Sequence, residues 1–105
     1  TLTLTAGTAY TFDQTDSTNA NHPLAFSETA NGTHASGTAY STGVLSTGTA
    51  GSSGKTTFTP ASNAPTPLYY FCTNHSGMGG TVNISGTSGG SGYSIPSKVE
   101  PIDTQ

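Results

Sequence analysis

The run Leu68-Tyr69-Tyr70-Phe71-Cys72 limits the possible folds more than any other stretch of the chain. Aromatic residues favour extended backbone, and side chains alternate between the two faces of a strand. Leu68, Tyr70 and Cys72 therefore share one face, and Tyr69 and Phe71 share the other. A strand that is apolar on both faces belongs in the middle of a sheet, with a cover over its outer side. A glycine-rich segment, Ser76 to Gly80, follows and reads as a turn.

The rest of the chain repeats the two-residue period in shorter pieces. Leu2 and Leu4 alternate with threonines in 1–5, and Tyr10 and Phe12 alternate with polar residues in 9–13. In 22–27, His22, Leu24 and Phe26 have one parity, so they are expected on one face of a strand, with Pro23 marking its start or an edge. Residues 38–45 are weakly strand-like, 55–60 form a short strand around Phe58, and 81–85 close the set through Val82 and Ile84. Between them lie polar loops. One, 28–37, contains the sequon Asn31-Gly32-Thr33 and a histidine, His34, that reads as exposed. Another, 46–54, reads as a flexible connection. Pro60, Pro65 and Pro67 bracket a loop unable to join a central strand. No helical period occurs. Short strands separated by turn clusters predict an all-β sandwich or barrel over residues 1–85.

Residues 86–92 form a Gly/Ser linker, and 93–105 an extended tail interrupted by Pro96 and Pro101. The tail is expected to dock on its own domain or on a neighbouring chain, which makes a homo-oligomer or a larger assembly the expected partner.

Composition narrows the function. A chain of 105 residues supports one domain. Only 30% of it is hydrophobic and 7% charged, with Ser, Thr, Gly and Asn filling the gap, as in secreted or particle-surface β proteins. Net charge is −3 and the two basic residues are Lys55 and Lys98, too few to neutralise phosphates, so nucleic acid is not an expected partner. No run is long enough for a membrane span, and no signal peptide is visible. The opening Thr1-Leu2-Thr3-Leu4 reads as a mature or excised start. A single cysteine precludes an internal disulfide. An unpaired thiol in an oxidising compartment is a liability unless it is buried or bound to a metal.

That cysteine has chemical company. Cys72, His75 and Met78, at C-x-x-H-x-x-M spacing, offer a thiolate, an imidazole and a thioether, a soft set that suits copper. A blue-copper centre needs a second histidine, and His22 is the candidate; its plain alternative is a surface histidine beside a turn. Zinc at His22, Cys72 and His75 is a weaker option. Cys72 is expected to end a strand, with His75 and Met78 in the turn after it. No Ser-His-acid arrangement is legible, and four protein ligands leave no open position for a substrate, so the chain is not expected to be an enzyme. Tyr69 and Phe71 are expected to pack beneath a loop or a neighbour; the alternative is a glycan or receptor surface.

The strand into Cys72-Thr73-Asn74-His75-Ser76-Gly77-Met78, together with His22 upstream, resembles the cupredoxin family of small blue-copper proteins. The short ligand loop looks most like the amicyanin type. The resemblance runs from about Leu2 to Ser85. It implies a Greek-key β-sandwich and, as ligands of a type 1 copper carried in loaded or unloaded form, His22, Cys72, His75 and Met78. One departure is Pro23. Many members have there an asparagine that ties the two ligand loops together, whereas Pro23 has no N–H to donate. A second likeness spans Phe12 to Asn19, His22 to Ser27, Gly32-Thr33-His34 and Thr42-Gly43-Val44. It is similar to cupredoxin-like domains in structural proteins of marine cyanobacterial phages. It implies a copper-binding subunit of a virion appendage, fibre or surface assembly, placed outside the cell or on the virion. The alternatives are a soluble electron carrier in the periplasm, with an unidentified redox partner, and a metal-free structural or adhesin sandwich.

Overall fold

A computed structural model describes residues 1–87. The tail beyond, with its expected docking on a neighbour, lies outside the described residues. Seven strands span the described part: β1 (Leu2–Thr5), β2 (Tyr10–Gln14), β3 (Leu24–Ser27), β4 (Val44–Thr47), β5 (Gly54–Phe58), β6 (Leu68–Cys72) and β7 (His75–Ser85). Two single 3-10 turns, Ser17–Asn19 and Gly32–Ala35, lie in the loops on either side of β3. The strands form a four-stranded sheet in the order β1-β7-β6-β3 and a three-stranded sheet in the order β2-β5-β4. The fold is all-β, as the alternation predicts.

The two sheets meet face to face through aromatic rings. Phe26 of β3 lies with its ring centroid 5.7 Å from Phe12 of β2 and 4.8 Å from Phe58 of β5. Around this contact Leu4, Phe26, Phe58, Ala64, Leu68, Val82 and Ile84 are buried in one cluster. Every strand of the larger sheet contributes, each through residues of a single parity, so the period-2 pattern is what closes the core. Ser27 is a buried polar exception. Its hydroxyl donates to the Thr38 carbonyl at 2.7 Å and accepts from the Thr29 amide at 3.0 Å, so nothing is left unpaired.

β6 is the internal strand the aromatic run predicts, antiparallel to β3 on one side and to β7 on the other. Its outer face is covered at Phe71, which is buried outside the core cluster. The lid is the 28–37 loop. Gly32, with a positive φ of 52°, sits so close to the Phe71 ring that any Cβ there would collide with it. Phe71 thus packs beneath a loop, and Tyr69 on the same face is half-buried.

Several element boundaries differ from expectation. The strand expected over 38–45 begins only at Val44 and runs to Thr47, preceded by an isolated bridge between Ser27 and Ala39. The 46–54 segment is a compact β4–β5 connection closed by Ser52 and Ser53 amides on the Thr49 carbonyl. The largest difference is β7. Residues 75–80 are not a turn but the first half of an 11-residue strand. Only Thr73-Asn74 turns.

Candidate metal centre

The pairing of β6 with β7 explains how glycine-rich sequence stays in a sheet. Phe71 faces Gly79, but the next residue, Cys72, faces His75. Ser76, Gly77 and Met78 are therefore extra residues, thrown out as a wide bulge opposite the Phe71–Cys72 bond. Bulges of this kind re-aim side chains, and glycine inside a strand commonly marks them. Gly77 supplies the positive φ, 78°, that the bulge requires. His75 thus comes from the residue flanking a strand bulge and Met78 from the bulge itself, not from a free turn.

His22 reaches the same place from the other side of β6. Asp16 caps the first 3-10 turn, its Oδ1 accepting from the Thr18 amide at 2.9 Å and the Thr18 hydroxyl at 2.7 Å. The His22 amide then donates to the Asn19 carbonyl, and Asn21, at φ 63°, reverses the chain into Pro23 and β3. His22 precedes β3 and is not part of the strand that carries Leu24 and Phe26.

The three side chains converge. The Cys72 sulfur lies 3.4 Å from Nδ1 of His75 and 3.7 Å from Nδ1 of His22. The two imidazole centroids are 4.6 Å apart, tilted by 41°. One ligand atom from each residue fits within 4.8 Å of the others, the one such His/Cys/acid group among the described residues. These separations can be tested against metal geometry. With metal–sulfur and metal–nitrogen bonds of ~2.3 and ~2.0–2.1 Å, ligand angles of about 110–120° place nitrogen and sulfur ~3.5–3.8 Å apart. The two sulfur–nitrogen spacings match that range to within a tenth of an ångström. Cys72 is buried, His22 half-buried and His75 exposed, so the cluster opens to solvent on its His75 side. Met78 lines a cleft of about 160 Å³ with Gln14, His22, Leu24 and Cys72, and the residue is 46% exposed.

The bracing between the ligand segments is supplied by groups the sequence did not single out. Pro23 has no N–H, yet its carbonyl accepts from the Thr73 amide at 3.0 Å. The Asn21 carbonyl accepts from Asn74 Nδ2 at 3.1 Å and lies 3.9 Å from the Cys72 sulfur. Donors on the Cys72 side and acceptors on the His22 side thus do what an asparagine after the histidine would do. Gln14 grips His22 from the opposite sheet: Nε2 donates to the His22 carbonyl at 2.6 Å, and Oε1 accepts from the Leu24 amide at 3.1 Å. His34 is exposed, as expected, but engaged. Its Nε2 is 2.8 Å from the Cys72 carbonyl, and its ring meets Phe71 edge-on at 6.1 Å. The sequon asparagine is also occupied, with Asn31 Nδ2 donating to the Ser76 hydroxyl at 2.9 Å. The only hint of these roles in the sequence was polar side chains next to strand ends.

No protein family, curated protein or solved structure matches this chain. The class defined by the fold and the cluster is therefore a two-sheet β domain with a His-Cys-His site able to hold a metal ion. No helix among the described residues is long and apolar enough to cross a membrane.

Proposed function

We propose that this domain binds copper through Nδ1 of His22, the sulfur of Cys72 and Nδ1 of His75, with the Met78 thioether as a weak fourth contact. The observation that carries the reading is the pair of sulfur–nitrogen spacings, 3.4 and 3.7 Å, each of which suits a thiolate and an imidazole sharing one small ion. Donor chemistry favours copper over zinc. The cleft beside the two imidazoles and the thiolate is lined by the Met78 thioether and the Gln14 amide but, among the described residues, by no fourth thiolate, imidazole or carboxylate, which a structural zinc site would draw. The family resemblance, Greek-key connectivity included, belongs to the same proposal.

Copper in such a site supplies one-electron redox chemistry. The chain's own residues keep the geometry constant. β6 and β7 fix Cys72 and His75 opposite each other on one rung of their ladder, and Gln14, Thr73 and Asn74 hold the His22 segment against them. Little rearrangement between oxidation states follows from a frame fixed on three sides. We propose that the domain serves as a building block of an extracellular or virion-surface assembly, supported by the low charge and by the likeness to phage structural domains. The copper holds its two ligand segments together there.

Titrating the metal-free protein with Cu(II) tests the reading. One equivalent should produce an intense visible thiolate-to-copper absorption, absent in Cys72→Ser and strongly weakened in His22→Ala. A colourless complex, or a band indifferent to Cys72, would overturn it.

A further inference from the structure

Resting on the reading of the cluster as a metal site, we infer that Asn31 is a positioning residue that fixes the bulge carrying Met78, and so sets how closely the thioether approaches the other three ligands. The bulge takes Ser76, Gly77 and Met78 out of the β6–β7 ladder, which leaves backbone groups without strand partners. Asn31 takes up one of them, the Gly77 N–H, and grips the Ser76 side chain with the other end of the same amide. Its Oδ1 accepts from the Gly77 N–H at 2.8 Å and its Nδ2 donates to the Ser76 hydroxyl at 2.9 Å. Both bonded residues immediately precede Met78.

Asn31 is itself held in place. Its φ of 64° is left-handed, a conformation asparagine tolerates better than most residues. Gly32 beside it rests on the Phe71 ring, and His34 two residues on contacts the Cys72 carbonyl. The loop is therefore fixed to β6 at Phe71 and Cys72, and reaches from there to the bulge. One rigid piece refers the position of Met78 to that of Cys72. The amide nitrogen that a glycan on the Asn31-Gly32-Thr33 sequon would need is the one bonded to Ser76.

The test compares Asn31→Gly, which keeps the left-handed backbone and removes the amide, with Asn31→Asp, which keeps acceptors for both the Gly77 N–H and the Ser76 O–H. In the metal-free protein, hydrogen exchange at the Gly77 amide should quicken about tenfold in Asn31→Gly, with Val82 unchanged, and return toward wild type in Asn31→Asp. In the Cu(II)-loaded protein, Asn31→Gly should shift the reduction potential in the same direction as Met78→Leu, and should add no shift in a Met78→Leu background. Unchanged Gly77 exchange would overturn the inference. So would a wild-type potential in Asn31→Gly when Met78→Leu moves it. Should the wild-type protein give no Cys72-dependent copper band, the metal reading itself fails. The Gly77 exchange result then decides alone whether Asn31 holds the bulge.

Discussion

Gln14 shows how much of the site depends on one side chain in the opposite sheet. Its amide makes a donor bond to the His22 carbonyl and an acceptor bond from the Leu24 amide, straddling the ligand. Gln14→Leu should lower stability by about 1–2 kcal/mol, the cost of two backbone groups losing a part-buried partner. Copper affinity should fall about tenfold as His22 gains freedom. Denaturant melts and competitive metal titration would measure the two effects; unchanged copper affinity would remove Gln14 from the bracing. The convergence of His22, Cys72 and His75 was legible because soft donor atoms are rare here, with one cysteine in the chain to pair with its few histidines. Gln14, Asn31 and His34 were not. Apart from the Ser76 hydroxyl, their hydrogen-bond partners are backbone carbonyls and amides at Cys72, Gly77, His22 and Leu24, and nothing in a side-chain pattern reports where a main-chain group will stand.

Among the elements, strand identity was largely legible and strand length was not. Alternation located β1, β2, β3, β5 and β6 to within about two residues, since burial on one face imposes the period. β7 was cut short because Ser76-Gly77-Met78-Gly79-Gly80 has turn composition. The ladder overrides that composition by shedding three residues at the bulge and resuming at Gly79. The lid over β6 gives a contrast between glycines. Gly77→Ala meets open space and should cost about 1 kcal/mol, from its left-handed backbone alone. Gly32→Ala combines the same kind of backbone cost with a collision against Phe71, and should cost about 2–4 kcal/mol. Equal losses in denaturant melts would mean that the loop does not seat on Phe71. The 3-10 turn before His22 carries a pH response. Hydrogen bonds from the Thr18 amide and hydroxyl hold the Asp16 carboxyl below the usual carboxylate range. A carboxyl depressed by folding stabilises the turn above its unfolded value and loses that contribution as pH falls through the depressed one. The Thr18 amide resonance should therefore titrate below the ordinary aspartate range, and Asp16→Asn should abolish the transition.

For the whole molecule, the core cluster and the His-Cys-His group both lie within the described residues. A chain ending at residue 87 should unfold in one cooperative transition and bind the same single equivalent of Cu(II). If the tail docks on a neighbouring copy, light scattering should show that only the full chain assembles. Metal should also raise the melting temperature: free copper at about a thousand times Kd adds about 4 kcal/mol. What holds the two ends of the domain is the parallel pairing of β1 with β7, from Leu2 opposite Val82 to Thr5 opposite Ser85. The polypeptide enters this seam at one extremity and leaves it at the other. Tension applied between the termini would drag the two strands past each other lengthwise, so all rungs of the seam must yield together instead of unzipping singly. A unit tethered in series within a filament would resist stretching best along that direction.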